Sequence, residues 1–134
     1  LAELVKLAEA LGMDALVEVH DEKELKKVLA LKVTPEEPAR DASTTVVKRP
    51  ARKTVDFMIG INNRDLKTLA VDLTITERLY PLVPKDRTVI VESGIKKYQD
   101  VLFLKVLGVN AILVGETLMR AADMESQLLD LMGW

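Results

Sequence analysis

The chain has 134 residues, 49% of them hydrophobic and 30% charged, a balance that fits one soluble globular domain and excludes a disordered polar chain. A net charge of −2 gives no overall attraction to nucleic acid, and the lack of cysteine excludes disulfides and thiolate metal sites. No apolar run approaches the roughly 20 residues that span a bilayer, so no membrane partner is expected and, with no signal-peptide pattern, the expected location is the cytoplasm.

Leu1, Leu4, Val5, Ala8 and Leu11 fall at helical spacing, with Gly12 placed to end the helix. Leu1 already stands inside this pattern, as expected of a chain that starts in mid-domain. Residues 15–19, Ala-Leu-Val-Glu-Val, read as a short buried strand ending at His20. Asp21 is suited to cap the next helix, with Glu24 three residues on as in a capping box, and that helix runs to about Leu31.

Residues 32–56 break the pattern. Three of the five prolines lie here (Pro35, Pro38, Pro50) and none of the six glycines does. Proline removes helical hydrogen bonds and biases its predecessor toward extended geometry. Residues 43–48 and 53–61 have extended patterns flanking Arg49-Pro50-Ala51-Arg52, so a hairpin competes with a plain loop. Lys48, Arg49, Arg52 and Lys53 form a basic cluster, but no aromatics interleave it and acidic residues lie nearby. It reads as a solvated loop, not a nucleic-acid site.

Residues 57–61 form an apolar run that ends abruptly in Asn62-Asn63-Arg64-Asp65. A parallel strand buried on both faces reads this way, and the polar change marks its C-terminal end. Thr74 and Glu77 suggest a second capping box, for a helix to about Leu82 stopped by Pro81 and Pro84. Residues 88–91 are a third strand, followed by Glu92-Ser93-Gly94 and a helix from about Lys97 to Leu107 with Gly108 as its stop. Residues 111–114 are a fourth strand, ending in Gly115-Glu116. The last helix carries Met124, Leu128, Leu129 and Met132, with these methionines and Met119 expected to fill core.

Each strand is followed by a helix, which gives a parallel α/β sheet through right-handed crossovers. Four such units after a first helix are half of a (β/α)₈ TIM barrel; an open, flavodoxin-like sheet is the alternative. The Gly-x-Gly-x-x-Gly dinucleotide signature is absent. Strand ends in such folds bear the ligand sites, which singles out Glu18, His20, Asn62, Arg64, Glu92, Ser93, Gly94, Gly115 and Glu116.

Four ordered motifs, Leu-Val-Glu-Val-His, Ile-Gly-Ile-Asn-Asn-Arg-Asp-Leu, Val-Glu-Ser-Gly-Ile and Leu-Val-Gly-Glu-Thr-Leu-Met-Arg, resemble the indole-3-glycerol phosphate synthase family. The likeness covers residues 1–31 and 57–134 and corresponds to the C-terminal half of that family's barrel. It implies one half-barrel domain over 1–134, interrupted by an atypical insertion or linker at 32–56. It also implies neither metal nor organic cofactor and a phosphorylated small-molecule substrate, 1-(o-carboxyphenylamino)-1-deoxyribulose 5-phosphate, which the family converts by ring closure, decarboxylation and dehydration.

By the resemblance Glu18 is an acid/base carboxylate, Asn62 and Arg64 position substrate, and Glu92 hydrogen-bonds its hydroxyls. Phosphate is expected against backbone N–H groups at Ser93-Gly94 and Gly115-Glu116, where glycine permits close approach; Glu116 contributes its backbone only. Against these stand plainer readings. An apolar strand that holds Glu18 without function would need a cation beside it, Asn62 and Arg64 could serve only their loop, and the glycines only tight turns. His20 reads as a supporting residue.

The family's Cys-Glu-x-Lys and Lys-Asp-Phe motifs, which carry its catalytic lysines, have no counterpart in these residues. The expectation is therefore an enzyme part that is impaired or inactive alone. The alternative is a non-catalytic, self-associating half-barrel, engineered or rearranged, that retains a phosphate-binding rim. Its partner would be a second copy or a complementary half-barrel. A different phosphate-binding barrel, such as phosphoribosylanthranilate isomerase, is opposed by Asn-Asn-Arg-Asp-Leu.

Overall fold

The computed structural model describes residues 1–31 and 57–134; the hairpin, the inserted segment and the basic cluster expected at 32–56 lie outside the described residues. Helix α1 (Ala2–Ala10) leads to β1 (Leu16–Val19) and α2 (Glu22–Leu29). Strand β2 (Met58–Asn62) is followed by α3 (Thr74–Leu79), which tightens into a 3₁₀ turn over Tyr80–Leu82. Then come β3 (Val89–Glu92), α4 (Tyr98–Leu107), β4 (Ala111–Leu113), α5 (Glu116–Met119) and α6 (Met124–Met132).

The four strands form one parallel sheet in the order β1-β2-β3-β4. Sequential order means that the winding never reverses, which fits half of a barrel and not the flavodoxin-like alternative, whose strand order doubles back. One-way winding puts the helices on one face. Val17, Val19, Ile59, Ile61, Val89 and Val91 point there and are buried with Val5, Leu25, Val28, Leu79, Leu104 and Leu131. Their alternates, Glu18, Gly60, Asn62, Ile90, Glu92 and Leu113, face the other side, because successive side chains in a strand oppose one another. That parity, set by the Val-x-Val and Ile-x-Ile spacing, decides which polar groups meet.

Several helix starts are set by side-chain oxygens. Asp21 Oδ1 accepts from Glu24 N at 2.8 Å, as expected, but Glu24 reaches past the cap to His20 N at 2.8 Å. At α3 the expected Thr74–Glu77 box is not formed. Asp72 does the work instead, accepting from Thr74 N at 2.9 Å and Thr74 Oγ1 at 2.8 Å. An aspartate two residues upstream reaches those groups at less cost in side-chain freedom than a glutamate folded back.

The C-terminal part departs most from expectation. β4 is an edge strand whose Ala111 and Leu113 are exposed, rather than a buried one. A short helix, α5, follows it directly. On α6 the buried residue is Leu131, while Met124, Leu128, Leu129 and Met132 are exposed, as is Met119 at 78%. Helical spacing identifies an apolar stripe but cannot say which of its residues meet a neighbour, and here α4 and α5 cover only part of it.

Candidate functional site

The site lies at the C-terminal ends of the strands, on the face away from the helices. In register, Glu18 neighbours Gly60, and Asn62 neighbours Glu92. Asn62 Nδ2 donates to Glu18 Oε2 at 3.2 Å, and Asn62 Oδ1 accepts from Arg64 N at 3.0 Å, so one amide links the carboxylate to the loop beyond.

Gly60 is what lets the two glutamates converge. A Cβ at that position would stand 2.2 Å from Glu92 Oε1 and 3.3 Å from Glu18 Cγ. Glu18 is exposed, contrary to the buried setting its apolar strand suggests, because alternate residues face the open side of the sheet. Glu92 is buried, and its Oε1 has no hydrogen-bond donor among the described residues. Burial, then the nearby negative charge of Glu18, push the Glu92 carboxyl up to about 7, against a smaller opposing pull from His20.

His20 Nδ1 lies 3.2 Å from Glu24 Oε2, which also accepts the His20 backbone N–H. The opposite ring atom, Nε2, is buried and has no hydrogen-bond partner among the described residues. A glutamate thus fixes the ring from outside while its inner nitrogen is left unsatisfied.

Beyond β3 the backbone turns left-handed twice, at Ser93 (φ 64°) and Gly94 (φ 82°). A side chain at 94 would also press on Val71, whose Cγ1 is 2.6 Å from the position of a Cβ. Glycine is therefore required there by both conformation and space. Gly115 differs: its φ is −116° and a Cβ would meet nothing within 4 Å, so neither reason applies. The two turns are tied together by Thr117 Oγ1, which donates to Ile95 O at 2.6 Å.

Arg64 does not reach toward Glu18 or Glu92. Its Nη2 donates to Glu116 Oε2, and Arg120 Nε donates to Glu116 Oε1 at 3.0 Å. The Arg64 contact is the largest reason that the Glu116 carboxyl sits below the usual range, with the charges of Arg64 and Arg120 adding to it. The side chain of Glu116, expected to stand aside, thus holds the rim's guanidinium.

Asn63 carries an unexpected part. Fully buried, it donates from Nδ2 to Glu92 O and Ser93 O, both at 3.2 Å. Its Oδ1 accepts from Thr76 Oγ1 at 2.7 Å and Thr76 N at 3.2 Å. The signal was the doubled amide at the strand end: alternation sends one to the open face and the next to the helices, where only a satisfied amide is tolerated.

The profile of the indole-3-glycerol phosphate synthase family matches residues 49–131. An indole-3-glycerol phosphate synthase of Acetivibrio thermocellus is 45% identical over 122 residues, covering 91% of this chain and 38% of the relative. That of Ruminiclostridium cellulolyticum is 39% identical over 133 residues, with 99% and 42% covered. That of Caldanaerobacter subterraneus subsp. tengcongensis is 44% identical over 114 residues, with 85% and 36% covered. The chain thus spans about two fifths of the length of these curated relatives.

Proposed function

The chain belongs to the indole-3-glycerol phosphate synthase family, and on that premise we propose that it forms the C-terminal, substrate-holding part of such an enzyme. The observation that carries this reading is the convergence of Glu18, Asn62 and Glu92 over Gly60, on one face and at one end of the sheet. Glu18 is the acid/base carboxylate for ring closure and dehydration. Asn62 orients it and, with Arg64, positions the substrate; Glu92 binds the substrate's hydroxyls.

Phosphate is bound by backbone N–H groups at Ser93-Gly94 and Gly115-Glu116. The successive left-handed residues and the open space at Gly115 support this, since both let a ligand approach the main chain. The lysines that the family's other half supplies have no counterpart among these 134 residues, so the chain by itself binds ligand but turns over substrate poorly. Calorimetric titration with indole-3-glycerol phosphate tests the reading: saturable one-site binding that weakens in Asn62→Ala supports it, and no binding overturns it. Turnover by the chain alone, at a rate near that of a complete family member, would refute the incomplete-site part.

A second reading is a self-associating half-barrel that keeps the rim without catalysis. Its support is that β1 and β4 each have one unpaired edge among the described residues, a template for further strands. Two copies about a two-fold axis would supply eight strands. A dimeric mass in light scattering supports this reading, and a folded monomer that binds ligand opposes it.

A further inference from the structure

We propose that Glu18 and Glu92 act as one unit that holds a single proton over the bare Cα of Gly60, with Glu92 as the carboxylic acid and Glu18 as the carboxylate. Three observations carry this. First, the absence of a side chain at Gly60 brings the carboxyl of Glu92 to the Glu18 side of the sheet. Second, Glu92 Oε1 is buried without a donor among the described residues; a carboxylate oxygen so placed is costly, whereas a carboxyl O–H turned to its neighbour is satisfied. Third, Glu18 Oε2 already accepts an N–H from Asn62, so Glu18 is the acceptor of the pair and the donor falls to Glu92.

The surrounding charges do not remove the need for that proton. From the end of β1 His20 faces the pair, its ring anchored by Glu24 of α2. From beyond β2 Arg64 is turned to Glu116 at the start of α5, and Glu116 is itself an anion. The raised titration of Glu92 agrees with this geometry. As a functional assignment the idea rests on the reading above. A protonated Glu92 donates to a ligand oxygen rather than repelling an anionic substrate. As the C–O bond to a departing hydroxyl breaks, the Glu92 proton leaves within water, and Glu18 takes the proton that the substrate loses as the double bond forms, so the pair again holds one proton.

The charge state can be tested without turnover, by following the side-chain carboxyl carbons of ¹³C-labelled protein by NMR from pH 4 to 9. A proton held between the two should place the Glu92 midpoint near neutrality in the unaltered chain. In Glu18→Gln the Glu92 midpoint should move down toward the ordinary carboxylate range, short of reaching it because burial remains. A Glu92 that titrates as an ordinary carboxylate, or an unmoved midpoint in Glu18→Gln, would each overturn the proposal. The first is read on the unaltered chain, so a variant that fails to fold does not decide the matter. Loss of ligand binding with this titration intact would instead count against the functional reading.

Discussion

Asn63 and Thr76, both fully buried, are joined by a 2.7 Å hydrogen bond that fastens the end of β2 to the first turn of α3. The other end of the same amide holds the carbonyls of Glu92 and Ser93. One side chain therefore sets the spacing between the strand that carries Asn62 and the turn that carries Ser93.

Replacing Asn63 by alanine removes four hydrogen bonds; Glu92 O keeps the Asn63 backbone N–H and Thr76 N keeps Leu73 O, so Ser93 O and the Thr76 hydroxyl are the groups that lose their partner. Each unsatisfied buried group costs about 1–3 kcal/mol, and partial relaxation should leave a net loss of roughly 2–4 kcal/mol. Thr76→Val removes only the hydroxyl donor and should cost about 1 kcal/mol. Urea unfolding of the two variants against the parent chain measures both.

Gly60→Ala should disturb the site more than the fold. The atom its Cβ would strike, Glu92 Oε1, ends a side chain that can swing away, so the stability loss should stay near 1–2 kcal/mol. Displacing Glu92 forfeits a hydrogen bond to the ligand, worth roughly tenfold or more in affinity. Calorimetry with indole-3-glycerol phosphate, set beside thermal unfolding, separates the two effects.

Glu116→Gln should free Arg64 and remove a negative charge beside the proposed phosphate position. Inorganic phosphate should then bind roughly two- to fivefold more tightly at low salt, the range expected of an exposed ion pair. The gain should shrink as ionic strength rises and screens the released charge. An unchanged or weaker affinity at low salt would show that Glu116 does not compete for Arg64.

Stability should fall as pH rises through the window set by Glu92. Burial and the nearby charge of Glu18 push its carboxyl up to about 7 in the folded chain from an ordinary 4.5, so the native state binds the extra proton between those limits. Stability is then full below about pH 4.5 as far as this group is concerned. It declines to about pH 7 and is flat above, a total on the order of 2–3 kcal/mol. Asp21, Asp72 and Asp123 are held below their ordinary range by hydrogen bonds and act in the opposite sense, at lower pH. Glu92→Gln should flatten the neutral-side decline in denaturation curves taken from pH 4.5 to 8.

The sheet and the location of the site were legible because they follow from short-range rules. Val-x-Val and Ile-x-Ile spacing fixes which strand residues face the helices, and an apolar run that turns polar marks a strand's C-terminal end. The polar change alone places Glu18, Asn62 and Glu92 at one end of the sheet, and the family motifs agree, whereas the buried setting expected for Glu18 overlooked the parity that turns it to the open face. Helix starts were less legible: Thr74-Glu77 satisfied a capping pattern that Asp72, two residues earlier, satisfied better.

What the tertiary structure decided were encounters between distant residues. Arg64 meets Glu116 across 52 positions, and Asn63 meets Ser93 across 30. Gly60 proves to be the floor on which Glu18 and Glu92 approach each other, although in sequence it is only a small residue in a strand. Local pattern fixes the face a side chain takes, since that depends on strand parity alone. Which partner it finds depends on strand register, on the turn beyond each strand and on what burial leaves unsatisfied, and these exist only once the sheet has formed.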